Sequence, residues 1–155
     1  MTPLDAAPQP PLADTRAAVR LARGNELSPK ARLIARILLT LSILAIATLS
    51  LVPGSLRPHT GFPGQWEHFA AYFGAGALLS FAYASARPRL LGCAGLAAIS
   101  GLFEVLQHFS PGRSPCVCDA VASSAGAAFG TIAGVVLCAV VAARFGATPP
   151  SAIKL

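Results

Sequence analysis

Residues 28–53 read SPKARLIARILLTLSILAIATLSLVP, and this stretch decides the class of fold. Ser28 is a helix-capping residue type, Pro29 suits the first helical turn, and Pro53 ends the run. Between them lie about 20 predominantly apolar residues, which at ~1.5 Å of rise each cover about 30 Å, the hydrocarbon thickness of a bilayer. The stretch predicts a transmembrane helix. Arg32 and Arg36 fall at its start, where long side chains snorkel back to the headgroups. A cleaved signal sequence is excluded, because the apolar run exceeds the usual ~7–15 residues and more spans follow.

The rest of the chain carries the same signature. Of 155 residues, 54% are hydrophobic and 12% charged, against about 25% charge in a soluble domain. There is too little polar surface to clothe a water-soluble globule. Spans are expected over 32–52, 66–86 (closed by Arg87-Pro88), 90–109 (closed by Pro111-Gly112) and 119–143 (closed by residues 144–146). The expected fold is all-α: a polytopic membrane protein whose four-transmembrane-helix bundle occupies 28–146. A basic juxtamembrane tail, 1–27, precedes it and a short tail, 147–155, follows. Residues 1–13 are Pro-rich and lack periodicity. Arg16, Arg20 and Arg23 then recur at helical spacing before Gly24, which leaves two readings open: a short basic helix along the inner membrane surface, or a partly disordered basic tail.

A net charge of +6 would ordinarily raise nucleic acid as a partner, but the basic residues flank the spans instead. With the N-terminus inside, ten of the twelve Lys and Arg lie on the inner side: Arg16, Arg20, Arg23, Lys30, Arg32, Arg36, Arg87, Arg89, Arg144 and Lys154. Arg57 and Arg113 remain outside. This positive-inside bias predicts cytoplasmic termini, anionic lipid as a neighbour and no nucleic-acid partner. Trp66 then stands at the outer interface.

The four cysteines form no disulfide framework. Cys93 and Cys138 lie in apolar runs as small hydrophobes. Cys116 and Cys118 make a lone CxC, read either as an exposed redox or metal pair or as two ordinary thiols. The second reading leads, since no further pair completes a structural zinc site. In the last span Ala122, Gly126, Gly130 and Gly134 recur every four residues, a smooth stripe that lets another helix approach. Packing within the bundle is the favoured reading and a homodimer seam the alternative; the oligomeric state is left open.

The ionisable groups outside the basic flanks gather at one end. Glu67 and His68 open the second span, Glu104, Gln107 and His108 close the third, Arg113 lies in the following loop, and Asp119 opens the fourth. Glu104 lies seven residues before Pro111, roughly 10 Å below the helix end. A mid-span acid costs about 2.5–3.5 kcal/mol in lipid, so Glu104 should face the bundle interior. Gln107 and His108, at i+3 and i+4, share its face. Arg113 is the expected counter-ion for Glu104 or Asp119, its fork of donors bridging both. Two readings follow: mutual glue between helices, or a polar pocket that meets a ligand at the outer face.

The pattern WEHFAAYFGAGALL, then EVLQHFSPGRSPCVCDAVASSAGAAFG, resembles that of VanZ-like membrane proteins of bacteria. The likeness covers roughly 51–134, on Glu67, His68, Glu104, Gln107, Pro111, Arg113, Asp119, Gly126 and Gly130. There are departures. Glu67 stands where Asp-Lys-x-x-His is common, and no Lys follows. Ser123 or Ser124 stands where the last span often has Asn. The resemblance implies an envelope role, linked for the family's namesake to teicoplanin resistance, and leaves the biochemical activity open.

The leading function is therefore a non-enzymatic protein of the inner membrane whose outward pocket engages a lipid headgroup, cell-wall precursor or glycopeptide. Arg113 would contact an anionic group while Glu104 and Asp119 hold it. The alternative is an intramembrane enzyme using Glu104 or Asp119 with His68 and His108: Glu104 as general acid or base, and the two histidines, with Glu67 and Asp119, as holders of a divalent metal. The spacing matches no known metal motif, so neither metal nor cofactor is expected.

Overall fold

The structure, a computed structural model, describes residues 27–56 and 61–145. The basic tail over 1–26, Arg57 and the C-terminal tail lie outside the described residues. The chain divides into two units, one of Leu27–Cys138 and one of Met1–Glu26 with Ala139–Leu155. Of the second, only the last turns of one helix are described.

Among the described residues the fold is four helices without a strand: α1 (Pro29–Leu51), α2 (Gly64–Ala82), α3 (Ala86–Gln107) and α4 (Val117–Phe145), with a 3-10 turn at Gly54–Leu56. Three of them, α1, α3 and α4, are long and apolar enough to cross a membrane. The polar first turn of α2, with Gln65, Glu67 and His68, lowers its hydropathy.

The α1 boundaries follow local chemistry. Ser28 caps the helix by accepting the Ala31 N–H at 3.2 Å. Pro29 loses no bond there, because first-turn N–H groups have no intrahelical partner. Val52 turns extended ahead of Pro53, as a pre-proline residue prefers.

The turn between α2 and α3 differs from expectation. Helix α2 stops at Ala82, and Tyr83 is extended. Helix α3 already begins at Ala86, so Arg87-Pro88 opens it rather than closing the helix before. Pro88 sits in the first turn of α3, where a missing N–H costs nothing. The far end of α3 also comes early, at Gln107.

Arg36 likewise departs from its expected snorkelling. Its Nε donates to the Ala82 carbonyl at 3.3 Å, with the guanidinium over the Tyr83 ring at 5.1 Å. Arg89 donates to the carbonyls of Tyr83 (2.7 Å) and Ser80 (3.1 Å). Two cations from α1 and α3 thus satisfy the carbonyl end of α2, where the helix dipole is negative.

The bundle core mixes a few large side chains, Leu39, Tyr72, Leu79 and Leu96, with many small and polar residues. Ala75, Ala82, Ala127, Ser80 and Ser123 are buried, while Leu33, Ile34, Leu44, Phe129 and Ile132 stand outward. That inversion suits hydrocarbon surroundings, where close backbone approach and hydrogen bonds, not apolar burial, draw helices together. The small-residue stripe of α4 lies on α2. A β-carbon at Gly126 or Gly130 would collide with the carbonyl oxygens of Phe69 and Phe73, and one at Gly134 would meet Ser80 and Ala77. Gly76 of α2 answers it against Ala127 and Thr131. Ser80 Oγ donates to the Thr131 carbonyl at 2.7 Å across this seam. The rising numbers on both helices show that α4 runs parallel to α2.

Widening this seam should unlock the bundle. Gly130→Val is expected to lower unfolding stability by about 1–3 kcal/mol, the usual cost of overpacking, read by denaturant titration in micelles. A larger loss is expected there than for valine at Gly95, which has open space around it.

Candidate functional site

The seam between α2 and α4 fixes the heights of their first turns, and so brings His68 to Asp119. His68 Nε2 lies 3.8 Å from Asp119 Oδ2. The third participant comes from the last turn of α3: Glu104 is buried, and its Oε2 accepts the Cys116 N–H at 3.0 Å. One donor atom from each of His68, Glu104 and Asp119 falls within 4.8 Å of the other two. Three helices therefore deliver one imidazole and two carboxylates to a single point. Asp119 also lies near the start of α2: a β-carbon on Gly64 would be 3.9 Å from both its carboxylate oxygens. The positive end of the helix dipole favours an anion there.

Ser123, one turn after Asp119, holds the far side of the imidazole. Its Oγ is 3.3 Å from His68 Nδ1, and the residue is 1% exposed. In the sequence it stood out only as a replacement for Asn; its i+4 spacing from Asp119 was the signal that puts it on the same helix face. Gln107 is also buried, and its Nε2 has no hydrogen-bond partner.

Two further residues of the expected pocket make contacts with main-chain carbonyls. His108 is exposed, at the C-cap of α3, with Nδ1 3.1 Å from the Glu104 carbonyl. His108 keeps helical backbone and its ring reaches one turn back to Glu104, but the residue lies at the surface. Arg113 is turned to the end of α1, where its Nε donates to the Val52 carbonyl at 3.1 Å and Nη2 to that of Leu49. The same loop adds Ser110 Oγ to the Leu51 carbonyl at 3.2 Å and the Gly54 N–H to the Pro111 carbonyl at 3.1 Å. The loop after α3 thus closes over the carbonyl end of α1. Gly112, at φ 72°, takes the left-handed conformation there and packs on Gly54. Glu67 is half-buried in the first turn of α2 and has partners of its own.

Cys116 and Cys118 are joined as a disulfide, which corrects the expectation of two separate thiols. The bond lies in the segment whose backbone N–H holds Glu104, and Cys118 Sγ receives Gln65 Nε2 at 3.3 Å. Cys93 and Cys138 remain free.

Compared with models of protein families, with curated proteins and with solved structures, the chain finds no match.

Because Arg113 satisfies main-chain carbonyls, its loss should act on stability. Arg113→Ala is expected to cost about 1.5–3 kcal/mol, the scale of hydrogen bonds from a charged donor, seen as a lower melting temperature in detergent and less protein in the membrane. Arg113→Lys should recover part of it.

Proposed function

We propose that the chain is an integral membrane protein of four spans, with both termini cytoplasmic, and that its His68–Glu104–Asp119 cluster is a ligand pocket at the external mouth of the bundle. The VanZ-like resemblance of the sequence is what suggests the bacterial cell envelope and its cytoplasmic membrane as the setting, with a lipid headgroup, wall precursor or glycopeptide as the ligand. The observation that carries this reading is the convergence of three ionisable side chains from separate helices inside a bundle whose exterior is apolar. Groups so costly in oil are seldom kept there without use.

Several features support the orientation. Arg36 and Arg89 mark one end of α2, with Arg32 and Arg87 on the same flank, as the positive-inside rule asks of a cytoplasmic face. At the opposite end stand the exposed Trp66, suited to an interface, and the Cys116–Cys118 disulfide, suited to an oxidising compartment. The nineteen-residue α2 makes the fourth span.

The enzymatic alternative draws on one specific observation. Ser123, His68 and Asp119 are neighbours in the order of an acyl-transfer relay. Burial of Ser123 to 1% exposure leaves no approach for a carbonyl to its oxygen. The serine serves better as a support for the imidazole, and the binding reading is preferred.

Two measurements test the proposal. Asp119→Asn and His68→Ala should abolish protection against teicoplanin in cells expressing the chain, at unchanged membrane abundance; protection that persists in both variants removes the pocket from function. A cysteine at position 109, in a chain otherwise free of cysteine, should react with an impermeant maleimide in intact cells. Reaction only after lysis inverts the topology.

A further inference from the structure

We infer that His68, Glu104 and Asp119 bind one divalent transition-metal ion of the Zn2+ class, with Ser123 as the residue that positions His68; the inference rests on the pocket reading above. The donor set is the first reason. One imidazole nitrogen and two carboxylates give three protein ligands and leave a fourth position open, the composition of an accessible zinc site. Calcium asks for about 6–8 oxygen donors, and magnesium prefers oxygen and retained water, so a nitrogen in a three-donor set selects against both.

Geometry is the second reason. The His68–Asp119 separation of 3.8 Å exceeds a hydrogen bond. Donors bound tetrahedrally at ~2.0–2.1 Å stand about 3.3 Å apart. Atoms already within 4.8 Å of one another thus close on an ion by about 1.5 Å at most, within reach of side-chain rotation. The support of the ring is the third reason. With the Nδ1 hydrogen given to Ser123 Oγ, the Nε2 lone pair faces the two carboxylates, which is how metal-bound histidines are held.

Gln107 supplies an independent sign. It lies three residues after Glu104 on the same buried face of α3, is 3% exposed, and has an amide nitrogen without a partner. An amide exchanges its nitrogen and oxygen by turning over, so this side chain can offer either a donor or an acceptor beside the buried face that carries Glu104. A buried carboxylate (Glu104) and a part-buried one (Asp119) this close repel each other, and a dication neutralises both. A cation with an open position also changes what the pocket takes: an acidic recess becomes a receptor for phosphate or carboxylate oxygens, the anionic groups of headgroups and wall precursors.

The test uses the full chain purified in nanodiscs, stripped with chelator, re-equilibrated with ZnCl2 and freed of excess ion. Elemental analysis should find one zinc per chain. Competition with a chromophoric chelator should show affinity reduced at least about tenfold by Ser123→Ala and abolished in a His68→Ala/Glu104→Gln/Asp119→Asn variant. Circular dichroism should show all these chains folded. Cobalt(II) in place of zinc should give a visible spectrum without thiolate charge transfer, and Cys116→Ser/Cys118→Ser should keep the stoichiometry. Absence of zinc from the folded native chain overturns the inference, as does a thiolate band or loss of metal on cysteine replacement. No zinc, with teicoplanin protection still lost in Asp119→Asn, removes the metal and keeps the pocket. No zinc and intact protection remove both.

Discussion

A carboxylate withdrawn from water must be given company, and Glu104 is where this structure meets that demand. The ~2.5–3.5 kcal/mol that a mid-span acid costs in lipid is a sizeable share of the ~5–15 kcal/mol that holds a typical fold together. The side chain is therefore met by the Cys116 N–H, and by the His68 imidazole close by, which Asp119 shares. Each of these has its own support. The Cys116 amide is presented by the loop that closes on α1, the imidazole is held by Ser123, and Asp119 lies at the start of α2. Every helix of the bundle is thereby connected to the same end.

That arrangement needs α2 and α4 to be very close. Side chains at the height of Gly126, Gly130 or Gly76 would separate the two backbones and move His68 away from Asp119 and Ser123. The glycines are therefore part of the site as much as of the packing. Ser80 adds a hydrogen bond across the seam, which fixes the axial register that van der Waals contact between smooth surfaces leaves loose.

The helices were legible because their signal is a sum over many residues. Ser28 and Pro53 set the ends of α1 by local chemistry alone. The α2–α3 turn was misplaced because Pro88 has two meanings, a stop or a first-turn residue, and only the extended backbone at Tyr83 decides between them. In the site, His68, Glu104 and Asp119 could be singled out because ionisable groups in an apolar run must face inward. The contacts of Arg113 and Arg36 with main-chain carbonyls could not be foreseen, since every residue offers a carbonyl and no sequence marks which one is met. His108 keeps its helical relation to Glu104 yet is exposed, because spacing names the shared face and does not say how far burial extends at a helix end. Gln107, in contrast, falls within α3 and is buried.

The guanidinium groups at the end of α2 bear on the surrounding lipid. Nineteen residues make a rod of about 28 Å, whereas the twenty-nine of α4 make one of about 43 Å. A bilayer of uniform thickness, about 30 Å of hydrocarbon, fits the first and falls well short of the second. Arg36 and Arg89 carry positive charge to the place where the short rod stops, so phosphates can dip towards it. In the four-span arrangement proposed above, the annulus of lipid around the bundle is uneven, pinched beside α2, while the length of α4 exceeds the hydrocarbon and is accommodated by tilt or by projection into the headgroups.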